Sequence, residues 1–171
     1  MPDHIRDAEF SFTTADKRLS NKMIPKLLLT LPFVLAASLA AEPTIMSAPD
    51  AFSAASNGDL ILIDIRSPGE WAQTGVAQGA VALTMHNQAF ARQISTLLNA
   101  NRDKPVALIC ATGGRTEYVV SFLKQNGFFG VIDVSEGMMG NQRGPGWIAR
   151  KLPLITSEDA QAAYGLLALK R

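Results

Sequence analysis

The sequence predicts an α/β domain built on a central, mainly parallel sheet of five strands flanked by helices. Three observations carry that prediction. Leu60 to Ile65 (LILIDI) and Val106 to Ile109 (VALI) are near-continuous apolar runs of the kind that form strands buried on both faces. Other segments place apolar residues at helical spacing, as at Phe90, Ile94, Leu97 and Leu98. Strand-like and helix-like segments also alternate along the chain, which is the order a parallel sheet with crossover helices requires.

Taken in order, Thr44-Ile45-Met46 is a short first strand. Ser47 to Asp50 opens a helix, with Ser47 able to cap, Pro49 suited to a first turn and Asp50 near the positive end. Asn57-Gly58 stops it. After Leu60 to Ile65, Ser67 to Trp71 turns into a short helix, and Ala80 to Leu83 forms another short strand after Gln78-Gly79. Gln88 to Asn101 is helical until Asp103-Lys104-Pro105 breaks it. Val106 to Ile109 follows, then a helix over Thr116 to Gln125 with Val119, Phe122 and Leu123 on one face, ending at Asn126-Gly127. Gly130 to Val134 gives the last strand. A Gly-rich loop carrying Met138, Met139 and Trp147 leads to a helical tail at residues 157–171.

A length of 171 residues suits one ordinary domain. With 47% hydrophobic and 18% charged residues the chain is not a disordered tail. The net charge of +1, with no long block of one sign, argues against a nucleic-acid partner. One cysteine excludes both an internal disulfide framework and a Cys-x-x-Cys metal site. His86 has no nearby metal-ligating partners in sequence and His4 lies in the leader, so no metal is expected.

Residues 1–40 read as a leader. Leu27 to Ala40 (LLLTLPFVLAASLA) has the length of a secretory apolar core and falls short of a bilayer span. Lys22 and Lys26 precede it, and Ser38 and Ala40 suit cleavage before Ala41. A start at Met23 would give a charged region of more ordinary length. The expectation is a domain at residues 41–156, exported to the periplasm or secreted, with no membrane span after cleavage. No cysteine follows the apolar core to anchor a lipid.

The chemistry centres on Cys110, which directly follows the VALI strand and precedes Ala111-Thr112-Gly113-Gly114-Arg115-Thr116 and a helix. Ligands bind at the carboxyl ends of strands in such sheets. Two adjacent glycines let successive backbone N–H groups turn inward as a nest for negative charge, and the helix adds its positive end. A cysteine at the base of that nest is expected to be a ready thiolate nucleophile, with Arg115 as a nearby fixed cation.

Cys110 to Thr116 resembles the active-site motif of the rhodanese family of sulfurtransferases, a cysteine, four loop residues, then Arg and Ser/Thr. Asp64-Ile65-Arg66 with Glu70-Trp71 looks like that family's N-terminal signature. Gly75 to Ala80, Ser135-Glu136-Gly137-Met138 and Trp147 to Pro153 resemble further segments, in the same order. The likeness runs from about Thr44 to Ile155 and is to single-domain members of the exported bacterial type. Val76 stands where the family usually has His, and Ala111 where some members carry a charged or bulky residue. An uncharged Ala111 weakens the case for thiosulfate as the native donor.

The resemblance implies a rhodanese-like fold and a two-step transfer of sulfane sulfur. Cys110 would take sulfur from a small donor such as thiosulfate, hold it as a persulfide, and pass it to a thiol or cyanide, with no cofactor. Ala111, Thr112, Gly113, Gly114, Arg115 and Thr116 would form the binding loop. Asp64, Arg66 and Glu70 are supporting residues, with an ion pair expected between Arg66 and Glu70. Trp71 and Glu117 read as structural, and Met138 and Met139 as either pocket rim or packing. The alternatives are a non-catalytic binding module of the same fold, or a cysteine phosphatase or arsenate reductase. The latter loops generally hold five residues between Cys and Arg, against four here.

Overall fold

A computed structural model of the chain describes residues 44–169. The leader therefore lies outside the described residues, as do the last two residues of the expected tail.

The elements run α1 (Ala48–Ser56), β1 (Ile61–Asp64), α2 (Pro68–Thr74), β2 (Val76–Ala77), β3 (Ala80–Ala82), α3 (Phe90–Ala100), β4 (Val106–Ile109), α4 (Gly114–Gln125), β5 (Ile132–Asp133), α5 (Gly146–Ala149), β6 (Leu154–Ile155) and α6 (Ser157–Ala168). The central sheet has the order β3-β1-β4-β5, and every pairing in it is parallel. The expected first strand is reduced to a bridge. Ile45 pairs in parallel with Asp133, through Met46 N–H to the Asp133 carbonyl and Asp133 N–H to the Thr44 carbonyl, both 2.9 Å. It holds the fifth place in the sheet, beside β5.

Alternation along the strands divides the core in two. Leu62, Ala107, Ile109 and Ile132 pack on one face with Ala48, Ala51, Trp147 and Ala160. Ile61, Ile63, Val106, Leu108 and Cys110 occupy the other, with Ile94, Leu97, Val119 and Leu123 from α3 and α4. The period of two thus carries Cys110 beneath α4. Phe52 of α1 meets Trp147 edge-on, centroids 5.8 Å apart. Val76, which stands where the resembled family usually has His, is fully buried in the first cluster.

Side-chain caps account for the starts of α1, α2 and α6. Ser47 accepts a bond from Asp50 N–H, and Ser67 and Glu70 form a reciprocal capping box around the first turn of α2. Thr156 caps α6 by accepting from Asp159 N–H at 3.2 Å. The helical tail packs against the domain: Ala160 is fully buried, and Tyr164 and Leu167 rest on the second core cluster. The antiparallel pair β2–β6 and the single turn α5 are absent from the sequence reading.

Candidate active site

Strand β4 ends at Ile109, and Cys110 starts the turn into α4. The thiol is fully buried. Its Sγ accepts the Gly113 N–H at 3.2 Å and lies 3.7 Å from Thr116 Oγ1. Thr116 in turn donates to the Gly113 carbonyl at 2.7 Å. Gly113 is the N-cap of α4 and has φ +87°, the left-handed region that favours glycine. A Cβ there would overlap the Ser135 carbonyl oxygen, so both backbone angle and space demand glycine.

The other wall is the loop between β5 and α5. Met138 and Met139 N–H groups donate to the carbonyls of Cys110 and Ala111, each at 2.8 Å. Gly137 lies so close to the Ala111 carbonyl that a Cβ would collide with it. The Asn141 amide bridges the two loops, donating to Thr112 O at 2.8 Å and Ser135 O at 2.7 Å. Met138 is fully buried, whereas Met139 is 57% exposed, so only Met139 is placed to rim an opening.

Glu136 anchors this second loop. Its buried carboxylate accepts from Ala48 N–H at 2.7 Å, Gly146 N–H at 2.9 Å and Arg150 Nε at 2.9 Å. Burial alone would raise its pKa, but those three donors together with the Arg150 charge pull it below the ordinary carboxylate range. Sequence reasoning quoted Glu136 and missed its role, as it missed Asn141. Glu136 reaches Ala48, 88 residues away, and Asn141 reaches Thr112, 29 residues away, and nothing local signals either contact.

The supporting residues are arranged differently from the expectation. Arg66 does not pair with Glu70. Its guanidinium is turned inward onto Asp64, with Nη2 to Oδ2 at 2.6 Å and Nε to both oxygens at 3.0 Å. It also donates to Thr74 Oγ1 and the Gly75 carbonyl, each at 2.8 Å. This fully desolvated pair ties the end of β1 to the end of α2. Glu70 pairs instead with Arg115, which donates from Nη1 and Nη2 at 2.8 and 2.5 Å. The Arg115 bonds lead in holding the Glu70 pKa at about 2, against burial and with help from Ser67. Arg115 is a partly exposed cation whose charge is already matched. Trp71 is buried in the core, and Glu117 is exposed in the first turn of α4.

Thr112 and Gly114 are exposed and Ala111 half-buried, so the loop meets solvent while the sulfur beneath it does not. A buried thiol at the carboxyl end of a parallel strand, under a tight glycine turn and the N-terminus of a twelve-residue helix, is an arrangement that can support nucleophilic sulfur chemistry.

Comparison with known proteins agrees with this geometry. A sulfurtransferase of Allochromatium vinosum is 29% identical over 104 residues, 61% of this chain and 86% of its own length. An uncharacterized protein of Rickettsia prowazekii is 25% identical over 103 residues, 57% and 84% of the two chains. A crystal structure of a rhodanese-related protein from Thermoplasma volcanium superposes with a TM-score of 0.50 at 26% identity, covering 66% of this chain and 97% of the other. The solution structure of a rhodanese-like domain from Anabaena sp. shares the fold with a TM-score of 0.52 at 22% identity, covering 69% and 83%. The profile of the Rhodanese-like domain matches residues 48–143, which contain the thiol loop and most of the loop between β5 and α5, and the chain belongs to that family.

Proposed function

We propose that the protein is a sulfurtransferase that carries sulfane sulfur on Cys110. The observation behind this reading is the four-residue turn that brings Gly113 N–H onto a fully buried Sγ. In the first step the thiolate attacks the outer sulfur of a donor. A new S–S bond forms, the donor's own S–S bond breaks, and its electron pair leaves with the departing group, sulfite when the donor is thiosulfate. In the second step an acceptor thiolate or cyanide attacks the outer sulfur of the persulfide and returns Cys110 as a thiolate. The dipole of α4 and the loop N–H groups favour negative charge at the sulfur throughout. Because Glu70 already neutralises Arg115, a singly charged persulfide donor suits the mouth better than dianionic thiosulfate.

The experiment is thiosulfate:cyanide turnover of Cys110→Ser, with circular dichroism as the control for folding and mass spectrometry of the wild-type protein after exposure to donor. The reading requires a mass gain of one sulfur on wild-type protein and loss of turnover in the folded variant. A wild-type protein that gains no sulfur from thiosulfate or from an organic persulfide would instead be a binding module.

A further inference from the structure

The Asn141 amide holds the far end of the peptide that serves the thiol. Thr112 and Gly113 share one peptide unit. Its N–H is given to Cys110 Sγ at 3.2 Å, and its carbonyl accepts from Asn141 Nδ2 at 2.8 Å. A trans peptide is planar, with N–H and C=O on opposite edges, so fixing one end aims the other. The turn supplies little stiffness of its own. Gly113 has φ +87°, and a glycine lets the peptide before it rotate. Thr112 is exposed, so without Asn141 its carbonyl would bond to water, which holds no direction.

Asn141 is itself fully engaged. Nδ2 also donates to the Ser135 carbonyl at 2.7 Å, and Oδ1 accepts the Arg143 N–H at 2.7 Å. A reversed amide would set Oδ1 against two carbonyl oxygens and Nδ2 against an N–H, so these partners fix its orientation. The Asn141 backbone exchanges bonds with Gly144 at 2.8 and 3.2 Å, closing a narrow turn. That turn belongs to the loop anchored by Glu136, whose Oε2 accepts Gly146 N–H at 2.9 Å.

We propose that Asn141 is a positioning residue that keeps the Gly113 N–H on Cys110 Sγ, and that it assists release of sulfur to the acceptor more than uptake from the donor. The distinction between the two steps rests on the sulfur-transfer reading. In uptake the Sγ thiolate attacks, an S–S bond forms, and negative charge leaves Sγ for the donor's departing group. In release the acceptor attacks the outer sulfur, the persulfide S–S bond breaks, and its electron pair returns to Sγ. The Gly113 N–H meets growing charge only in the second step, where a donor already in place lowers the barrier. A carbonyl that accepts a hydrogen bond also polarises its own peptide, which strengthens the N–H as a donor.

The test uses Asn141→Leu, which removes both donors at similar volume, and Asn141→Asp, which turns a carboxylate onto two carbonyl oxygens. Asn141 is exposed, and thermal melting checks that each variant folds. In a two-step exchange kcat/KM for thiosulfate reports uptake and kcat/KM for cyanide reports release. Both variants should lose about tenfold in the cyanide value and less than about threefold in the thiosulfate value, as loss of one hydrogen bond implies. Equal losses in the two values, or none, overturn the proposal. Nuclear magnetic resonance of the resting protein gives a measure that needs no turnover. The Gly113 amide proton should exchange with solvent about tenfold faster in the variants, while amides of β1 and β4 keep their protection. An unchanged Gly113 amide overturns the proposal whether or not sulfur is transferred. A protein that transfers no sulfur but shows the faster exchange would overturn the functional reading and leave Asn141's hold on the peptide standing.

Discussion

Glu70 and Arg115 are 45 residues apart in the chain and meet through two parallel hydrogen bonds at the mouth of the thiol loop. The same Glu70 closes the capping box of α2 on Ser67. One carboxylate therefore ties the start of α2 to the first turn of α4, and sets the net charge that an approaching donor meets.

Acid should weaken the fold through this carboxylate. Its pKa is lowered from 4.5 to about 2, so the folded state binds fewer protons there than the unfolded chain. The stabilisation is complete above 4.5 and disappears as pH falls toward about 2. Glu136 acts in the same direction and Asp133 in the opposite one. Urea unfolding at a series of acidic pH values should show a shallower loss in Glu70→Gln than in wild type. Equal slopes would mean that the pair adds nothing to stability.

The same substitution should change substrate preference. Glu70→Gln leaves the Arg115 charge unmatched, and KM for thiosulfate is expected to fall by about fivefold at low salt, the equivalent of ~1 kcal/mol. The gain should fade as salt is added. An unchanged KM would show that Arg115 does not meet the donor.

Gly113→Ala should damage fold and activity together. The left-handed backbone alone costs roughly 1–2 kcal/mol, and the overlap with the Ser135 carbonyl adds to it. Gly114→Ala is the control, because a Cβ there meets nothing within 4 Å. Equal melting temperatures for the two variants would contradict this account of the turn.

Arg66→Met tests the inner pair. It leaves the Asp64 carboxylate buried without its cation, which costs about 3–5 kcal/mol. Adding Asp64→Leu should restore much of that loss, whereas two independent penalties would show that the residues do not act as a pair.

We propose that residues 1–40 are removed on export and that the mature chain begins at Ala41. N-terminal sequencing of protein from a periplasmic fraction should read Ala-Glu-Pro. Recovery of the intact leader on cytosolic protein would refute it. Outside the cytoplasm a lone thiol has no resolving cysteine in its own chain, so sustained turnover should depend on added thiol.

The long apolar runs and the cysteine at the end of one of them were legible because burial on both faces leaves a continuous local signature. The strand pair β2–β6 was not, since two residues carry no period and Val76–Ala77 is defined only by its partner, Leu154–Ile155. Asp133 illustrates the same limit. In sequence it is one acidic residue after Val131 and Ile132, and its burial exists only once β5 pairs with β4. The expected Arg66–Glu70 pair failed for a geometric reason. Arg66 folds back on Asp64 and the end of α2, while Glu70 points across to α4.

The single bridge at Ile45 also bears on how the molecule behaves in company. Next to it β5 is only two residues long, and at the far side of the sheet α6 lies against the three-residue β3. Amyloid-like stacking begins when a foreign chain adds itself to a long bare strand. Here Thr44 and Met46 already occupy the backbone groups of Asp133, and among the described residues the template that remains is short.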